Sequence, residues 1–593
     1  MQNPSAFRPY MGDTKNSGDA DRTSRWSLCI IYPGPSLGRR RCYYLDKPLL
    51  LGRAWFRKAF SKRHDSHNIS YQISITMDTF KEQAAHMSSL VLGSPQHSIG
   101  FITGVFTIYL ALLAIYRTWF HPLSHIPGPW LGKVSYWLEF YYDCLQEGYV
   151  KIYPELHEKY GPVVRVTPTR VHFNDPQYFH EIYSIDGANK YLKDPEFFAT
   201  AGGIKHSVIM VTDPEVHKIR RKTIQNLFSP KNMEELSPRV EAVVKKGLER
   251  LRLAYEENEP VDMNRIYKGV TVDTIMRLMF DKAFGLIDSK EAEPDFVKTM
   301  RLFADNFAWQ KHFPIVNTIS LLIPQSWAEN LVPGYARFRK QCGAWIDEVA
   351  ERHKRGVYTG EDGRPTIFDH LLHPNVEKGQ LELGRDVLID EMFAFCFAGT
   401  DTTDYSLSMG SYYLMTNPSK LQKVRDELSG VPTNADGLLE YRNLRNLPYL
   451  SAAVKEMIRL ACPVPGITPR LVPAGGMQVS GYYLPPKTII SLSMRMVHFN
   501  ESVYEDPYEF IPERWLGERG KELDKWFVAF SKGPRMCLGL NMAYLELYLA
   551  VANFFNKFDF ELYETDENTA MWVDMVAAAR SRQSIKAMVK GLR

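Results

Sequence analysis

Cysteine is scarce in this sequence, and the few cysteines do not occur at spacings that would pair them. There are 7 in 593 residues, an odd number, with no CxxC motif and no regular framework. Disulfide scaffolds and structural zinc sites both depend on closely spaced cysteines. We therefore expect a reducing compartment in which most thiols are buried and inert, and we interpret Cys396 and Cys462 in this way.

The chain also lacks a concentrated basic face over most of its length. The net charge is +4, and residues 1–76 alone hold 13 Lys and Arg against 5 Asp, so the remainder is mildly acidic. Because binding to phosphate backbones needs clustered positive charge, we expect no nucleic acid partner. The sequence has no flavin or nicotinamide fingerprint either, so electrons for any redox chemistry would come from a separate protein.

One stretch carries no charge at all. Residues 99–116 form an apolar run of 18, within the range of roughly 17–25 residues that cross a bilayer as a helix. Tyr116, Trp119 and Phe120 end it like an interfacial aromatic belt. The residues before it, 78–98, hold one Lys and no Arg, so the positive-inside rule places the C-terminal side in the cytosol. We expect a single-pass anchor; a buried core helix is the alternative.

The basic segment before this run conflicts with that topology, because it would have to be translocated. We interpret residues 1–86 as a disordered extension or as the product of a start site placed too early, with Met77 or Met87 as the initiator. A transit peptide or a natural extension is the alternative. Residues 87–121 then form the membrane anchor, and residues 122–593 form the globular domain.

The globular part reads as one mainly α domain with small β sheets. Prolines at 122, 127 and 129 predict a stiff, non-helical spacer after the anchor. Short strand patterns bounded by Gly and Pro occur at 163–167, 477–483 and 487–491. Helical periodicity is clearest at 232–255, 264–283, 386–416, 418–429, 446–460 and 538–556.

The most informative stretch surrounds Cys537, in a loop that leads into an apolar helix predicted to begin near this cysteine. The positive end of a helix lowers the pKa of a thiol placed there. Gly533 and Gly539 lack side chains, so backbone and a flat macrocycle can approach closely. Arg535 can pair with a carboxylate, and Phe530 can shield the sulfur from water.

These five residues match the pattern FxxGxRxCxG, and the loop resembles the cysteine-ligand loop of the cytochrome P450 family. The resemblance implies the cytochrome P450 fold, preceded here by one N-terminal transmembrane helix. It further implies a haem whose iron takes the Cys537 thiolate as its axial ligand, with Arg535 on a haem propionate. In this family the thiolate donates electron density that favours cleavage of the O–O bond.

A second pair of motifs adds to the resemblance. Glu456 and Arg459 share a face of a predicted helix, as in the family's ExxR motif. Arg514, in Pro512-Glu513-Arg514-Trp515, follows at about the distance that the family shows. The resemblance implies that these three residues form a buried charge network with a structural role.

The stretch Ala398-Gly399-Thr400-Asp401-Thr402-Thr403 lies inside a long helical pattern, although Gly and Thr are unfavourable in a helix interior. Such violations often mark function. The stretch resembles the family's oxygen-binding groove, in which the helix is distorted beside the iron. The resemblance implies catalytic roles for the Thr402 hydroxyl, in holding dioxygen as it is activated, and for Asp401, in relaying protons.

Three more residues are implied as cofactor-binding residues. The stretch from Asp213 to Arg221 opens a helix and resembles the family's WxxxR segment, in which both named residues bind a haem propionate. Arg221 matches, whereas His217 stands in place of the Trp. Arg470, in Thr468-Pro469-Arg470, matches a further propionate-binding position.

The resemblance extends from about residue 120 to the C-terminus and is strongest to fungal enzymes, more narrowly to the trichodiene oxygenase-like group of secondary metabolism. It implies a monooxygenase of the endoplasmic reticulum membrane that inserts one oxygen atom of O2 into an apolar molecule, such as a terpenoid or polyketide. Electrons would come from an NADPH-dependent cytochrome P450 reductase, with cytochrome b5 as a further donor. Candidate pocket residues are Phe393, Phe397, Ala398, Val464 and Ile467, although core packing explains the phenylalanines equally well.

Two other functions are alternatives. A haem-thiolate isomerase or dehydratase would share the fold but use no oxygen; such relatives often alter the acid–Thr pair, which Asp401 and Thr402 retain. A non-enzymatic haem-binding membrane protein would not need the complete oxygen groove.

Overall fold

The computed structural model describes residues 95–593 except for 200–203, 289–294, 316–326, 328–332 and 576–578. The predicted extension 1–86, with Met77 and Met87, lies outside the described residues. The chain divides after Phe101 into two units, and the sites discussed below all lie in the unit Ile102–Arg593.

Helices make up most of the described chain. In chain order they are α1 (Pro95–Ile115), α2 (Trp130–Val134), α3 (Trp137–Phe140), α4 (Tyr153–Tyr160), α5 (Gln177–Tyr183), α6 (Ile185–Lys190), α7 (Pro195–Ala199), α8 (Pro214–Ile224), α9 (Pro230–Glu257), α10 (Met263–Phe280), α11 (Asp295–His312), α12 (Pro333–Lys354), α13 (Ile367–Leu372), α14 (Arg385–Thr416), α15 (Pro418–Leu428), α16 (Tyr441–Leu444), α17 (Pro448–Ala461), α18 (Met494–His498), α19 (Gly517–Leu523), α20 (Leu540–Lys557) and α21 (Glu567–Ala570).

The strands of the described residues are short and form four small sheets. They are β1 (Val163–Arg165), β2 (Arg170–Phe173), β3 (Val261–Asp262), β4 (Arg470–Leu471), β5 (Met477–Val479), β6 (Tyr482–Leu484), β7 (Ile489–Ser491), β8 (Phe558–Leu562), β9 (Trp572–Asp574), β10 (Ala579–Ser581) and β11 (Lys586–Leu592). The largest sheet has the order β1-β2-β7-β4. Its strands pair antiparallel except for β2 and β7, which are parallel. The predicted class, mainly α with small sheets, is confirmed.

The long helix α14 runs through the middle of the domain. It has 32 residues, and its buried positions occur on every side from Leu388 to Leu414, as expected of a helix enclosed by other helices. It packs against α10, α12, α17 and α20. Side chains on α14 can therefore reach both a cavity on one side and charged groups on another.

Most predicted elements are present, and two differ in their limits for local reasons. The predicted strand 477–483 is a hairpin of β5 and β6, because Ser480 and Gly481 between them both have positive φ. The predicted helix 538–556 begins at Leu540, because Gly539 is its non-helical N-cap. Cys537 therefore precedes the helix instead of opening it.

The apolar run forms one helix long and apolar enough to cross a membrane, by length and composition. It spans Ser98–Phe120, with a mean hydropathy of 2.1 in its most apolar window, none of which is buried. A helix without buried residues in its apolar window is unlike the core helix considered as the alternative.

Candidate active site

The loop before α20 contains a turn that only glycine can make. Gly533 has a φ of 65°, and a Cβ there would lie 2.5 Å from the carbonyl oxygen of Tyr183. The loop therefore packs directly against the backbone at the end of α5. Gly533 does not line the cavity described below, so the structure gives it a role in the turn in place of the predicted contact with a cofactor.

Cys537 lies at the end of this loop with its side chain directed into a cavity. Its N–H donates to the carbonyl of Phe530 at 2.8 Å, which closes the loop. Its side chain is accessible from the cavity, whose wall it forms, but it is surrounded by protein on its other sides. Gly539 keeps this region open, because a Cβ there would meet no atom closer than the Cε of Met542 at 4.0 Å.

The pKa of this thiol is raised, contrary to the prediction that the helix end lowers it. Burial raises the pKa of Cys537, and this effect is larger than the lowering by the N–H groups of Gly539 and Leu540 and by Arg221. Few helix N–H groups reach the sulfur because α20 begins only at Leu540. A cation bound to the sulfur would favour the thiolate at this position.

The cavity beside Cys537 has a volume of about 380 Å³ and mostly apolar walls. Four of the predicted pocket residues line it: Phe397, Ala398, Val464 and Ile467. Further walls come from Phe307 on α11 and from a segment, 204–211, that follows α7. Sequence reasoning missed these walls because neither stretch contains a recognisable motif.

The fifth predicted pocket residue, Phe393, does not line the cavity. Its side chain is fully buried, with ring centroids 5.0 Å from those of Phe303 and Phe338 in edge-to-face contacts. Position 393 is one helical turn before Phe397, and it faces α11 and α12. The structure corrects this assignment to core packing.

One end of the cavity is strongly basic. Its lining contains Lys193, His217, Arg221, Arg470 and Arg535, and no Asp or Glu occurs among the described residues that line it. Burial, together with the nearby Arg470 and Arg221, lowers the pKa of Arg535 to about 10. Burial and the neighbouring cations also lower the pKa of His217 to about 3. A cluster of this kind favours a ligand that carries more than one negative charge.

The arginines of this cluster are held by backbone carbonyls. Arg221 donates from Nη1 to the carbonyl of Met536 at 2.7 Å, next to Cys537. Arg535 donates to the carbonyl of Val211 at 2.6 Å. Lys193, which sequence reasoning missed, donates to the carbonyl of Ile209 at 2.6 Å. These bonds hold side chains from distant parts of the chain against the carbonyls of Met536, Val211 and Ile209, which lie outside the α-helices and strands.

Helix α14 forms another wall of the cavity. Thr402 lines the cavity, and its hydroxyl donates to the carbonyl of Ala398 at 2.8 Å. The expected distortion is absent, because α14 is α-helical without interruption from Arg385 to Thr416. The hydroxyl meets its hydrogen-bonding need within the helix by bonding the carbonyl four residues back.

Asp401 points away from the cavity. Its carboxylate accepts from the Lys268 ammonium on α10 at 2.5 Å, and the same ammonium lies 2.8 Å from Asp404. Burial raises the pKa of Asp404 to about 6. The predicted acid–Thr pair is therefore adjacent in sequence, but only the Thr faces the cavity.

Comparison with known proteins agrees with this architecture. The family model described as cytochrome P450 matches residues 126–586. The chain belongs to the cytochrome P450 family. The predicted fold and the membership of this family are thus confirmed, and the family implies a haem cofactor and the use of O2.

Curated relatives of this P450 are fungal monooxygenases. Cytochrome P450 monooxygenase BOT1 of Botryotinia fuckeliana is 48% identical over 475 residues, covering 80% of this chain and 92% of that protein. Cytochrome P450 monooxygenase ankB of Aspergillus thermomutatus is 36% identical over 509 residues, covering 85% and 94%. Monooxygenase phqM of Penicillium fellutanum is 33% identical over 476 residues, covering 79% and 87%. This P450 is accordingly an oxidoreductase that incorporates oxygen.

The residues of the cavity fit a haem. The basic end suits the two propionate carboxylates, since the described lining residues supply no acid of their own. The open space at Gly539 admits a flat ring close to the loop. The Cys537 thiol and the Thr402 side chain belong to walls of the same cavity, so a metal in the ring would have a sulfur donor and a hydroxyl within one enclosed space.

A buried charge network lies in the part of the domain that leads to the cysteine loop. Arg459 binds both oxygens of Glu456 at 2.8 Å, and Arg514 donates to Glu456 at 3.0 Å. The Trp515 indole and the Ile511 N–H also donate to this carboxylate. The network joins α17 to the helical turn Pro512–Trp515, in the segment that leads to the cysteine loop.

A second buried acid, Glu546 on α20, gives a pH-dependent prediction. It is fully buried, and neither carboxyl oxygen has a hydrogen-bond partner of standard geometry among the described residues. Burial raises the pKa of Glu546 well above its usual range, offset only in part by the nearby Thr403. The folded protein therefore keeps this proton at pH values where the unfolded chain, with a pKa of about 4.3, has lost it.

The parent protein should lose stability as pH rises, because folding then has to keep Glu546 protonated. We expect Glu546→Gln, which has no proton to lose, to avoid that loss. Stability linked to this proton is complete below the unfolded pKa and is lost as pH rises toward the folded value. The difference in melting temperature, variant minus parent, should become more positive between about pH 5 and pH 7. The exposed Glu561→Gln is the matched control. A difference that is independent of pH would show that Glu546 is ionised in the fold.

Proposed function

We propose that this P450 binds haem through the Cys537 sulfur and inserts one atom of O2 into an apolar small molecule, a terpenoid or polyketide of fungal secondary metabolism. The observation that carries the proposal is the arrangement of one cavity: a cysteine thiol, a basic end without acids among the described lining residues, and a helix wall with Thr402. The bound haem iron supplies the activation of dioxygen.

Each group of side chains has one task in this proposal. Arg221, Arg470 and Arg535 bind the propionates, and His217 and Lys193 complete the basic end. The Arg221 bond to the carbonyl of Met536 also fixes the cysteine loop, so that the sulfur and the propionate site keep a constant separation. Phe530, whose ring centroid lies 5.5 Å from that of Tyr544, excludes water from the sulfur side.

Thr402 is proposed as the hydroxyl that contacts dioxygen. Its hydroxyl donates to the carbonyl of Ala398, and it can turn to the cavity by rotation about one side-chain bond. Asp401 would then act indirectly, because its carboxylate faces Lys268 and can return protons toward Thr402 only through intervening solvent.

The substrate is proposed to be apolar because the walls are. Phe307, Phe397 and Val464 line the cavity from three different elements, and a site lined in this way gains most from excluding water from a hydrocarbon. Electrons are proposed to come from an NADPH-dependent reductase, with cytochrome b5 as a further donor. The apolar helix Ser98–Phe120 would place the enzyme at the endoplasmic reticulum membrane.

The difference spectrum of the reduced protein with carbon monoxide tests the proposal. We expect a Soret maximum at the position that marks thiolate ligation. A spectrum of the histidine-ligated type, or the failure of the purified full chain to take up haem, would overturn the assignment of Cys537.

Thr402→Ala is expected to keep haem and the thiolate-type spectrum but to uncouple electron use from oxygenation. Without the hydroxyl, proton delivery to dioxygen is no longer directed. NADPH consumption therefore continues while hydrogen peroxide release rises several-fold, because a positioned proton donor contributes roughly 100-fold or more to the rate of the productive reaction. The measurement is peroxide formed per NADPH oxidised, with an added reductase.

Ser406→Ala is the matched control for this variant. Ser406 lies one turn further along α14, and its hydroxyl donates to the Thr402 carbonyl at 2.8 Å, the same kind of bond to the helix. It is not among the residues that line the cavity. If both variants formed the same amount of peroxide per NADPH oxidised, the role proposed for the Thr402 hydroxyl would be wrong.

A further inference from the structure

The cavity wall formed by residues 204–211 consists of turns that follow a 3-10 helical residue at Ile204, so it lies in neither an α-helix nor a strand. Ile204, Val208, Ile209 and Met210 of this segment line the cavity. Two turn-type bonds, from Ser207 N–H to Ile204 and from Met210 N–H to Ser207, are its internal backbone bonds among the described residues. Because buried backbone groups need partners, the remaining buried N–H and carbonyl groups of the segment must be bound by other parts of the chain.

Two neighbouring carboxylates on α14 bind two of the N–H groups, whereas Lys193 and Arg535 bind the carbonyls of Ile209 and Val211. Both oxygens of Glu391 accept from the N–H of Val208, at 3.0 and 3.1 Å. Asp390 accepts from the N–H of His206 at 3.0 Å and from its imidazole Nδ1 at 3.0 Å. Both acids are buried, Glu391 completely.

Arginines complete this cluster. Arg220 of α8 pairs with Glu391 and donates to the carbonyl of His206 at 2.8 Å. Arg339 of α12 pairs with Asp390. Desolvation raises the pKa of Glu391 to about 6 although Arg220 and the Val208 N–H lower it, which shows that placing a charge here is costly. An apolar pair would avoid that cost, but it could not bind the two N–H groups.

We propose that Asp390 and Glu391 are positioning residues that hold segment 204–211 as the wall of the substrate cavity and so set which substrates fit. Both acids lie on α14, the helix whose later turns carry Ala398 and Thr402. One rigid element therefore fixes the wall and the oxygen-side residues together. The inference rests on the proposed function only in taking this cavity as the substrate site.

Hydrogen exchange of the full-length protein tests the contact directly, whatever the haem does. In Glu391→Gln we expect exchange of the amides in 204–211 to accelerate by about tenfold or more, since a bond to a charged acceptor is weakened. Amides in the middle of α14 should be unchanged. Asp386→Asn is the matched control, because Asp386 is exposed on the first turn of the same helix.

Azole binding tests the consequence for ligands. Imidazole is too small to reach the wall, so its affinity should stay within about twofold in Glu391→Gln, whereas 4-phenylimidazole should bind about tenfold more weakly because the wall is no longer preorganised. If Glu391→Gln does not fold, the same two measurements are made on Asp390→Asn, in which the bonds from Asp390 to His206 are weakened.

Exchange rates equal to those of the control, or equal changes in affinity for both azoles, would overturn the proposal. Loss of all azole binding with faster exchange would instead contradict the haem assignment.

Discussion

Cys537→Ser is expected to abolish the thiolate-type carbon monoxide spectrum and all oxygenation, while the apoprotein remains folded. A serine hydroxyl does not ionise at neutral pH and is a far weaker donor to iron than a thiolate. The substitution changes little else, because the loop is held by the Cys537 N–H bond to Phe530 and by the turn at Gly533. Spectra of the reduced protein with carbon monoxide and the melting temperature of the haem-free chain measure the two effects separately.

Cys144→Ser is the control for this variant. Cys144 is partly buried and does not line the cavity, and burial raises the pKa of its thiol to about 11. We expect this variant to keep the parent spectrum. If Cys537→Ser retained a thiolate-type maximum, another cysteine would have to bind the iron, and the proposed geometry of the site would be wrong.

The parts of the site that sequence could predict are those encoded within a few residues. Phe530, Arg535 and Cys537 occur in one continuous loop, and Glu456 and Arg459 are one helical turn apart. Their spacing carries the information because each motif fixes its own local geometry. The structure places all five where the motifs suggest, in the loop beside the cavity and in the network behind it.

The parts that sequence could not predict depend on distant contacts. Lys193 joins the basic end through a bond to Ile209, and no local pattern distinguishes it from an ordinary surface lysine. Asp401 was assigned by its neighbour Thr402, but successive helical positions differ by about 100°, so the two side chains point in different directions. Its partner Lys268 is 133 residues away.

The predicted direction of the Cys537 pKa shift was wrong for a similar reason. Sequence alone shows the polarity of a helix end, which lowers the pKa of a nearby thiol. It shows neither the burial of the thiol nor the two residues that separate Cys537 from Leu540. Burial and the helix act in opposite directions, and only the structure gives their relative weight.

Glu456→Gln is expected to destabilise the protein by about 3–5 kcal/mol, a large part of the roughly 5–15 kcal/mol available to a domain. The neutral amide leaves Arg459, which is completely buried, and Arg514 without their carboxylate. The Trp515 and Ile511 N–H donors also lose a charged acceptor. Urea unfolding of the purified protein measures the change, and haem content should fall because the network supports the segment before Cys537.

Two further variants show whether the loss of stability comes from the Glu456 network and not from any change of charge in this segment. Glu509→Gln changes an exposed acid in the same segment and should shift stability by no more than about 0.5 kcal/mol. Arg514→Met should cost less than Glu456→Gln, because Glu456 keeps Arg459 and Trp515. In the double variant the two losses should fall short of additivity, since both remove the same ion pair. Full additivity would mean that Glu456 and Arg514 act independently and that the network is not one cooperative unit.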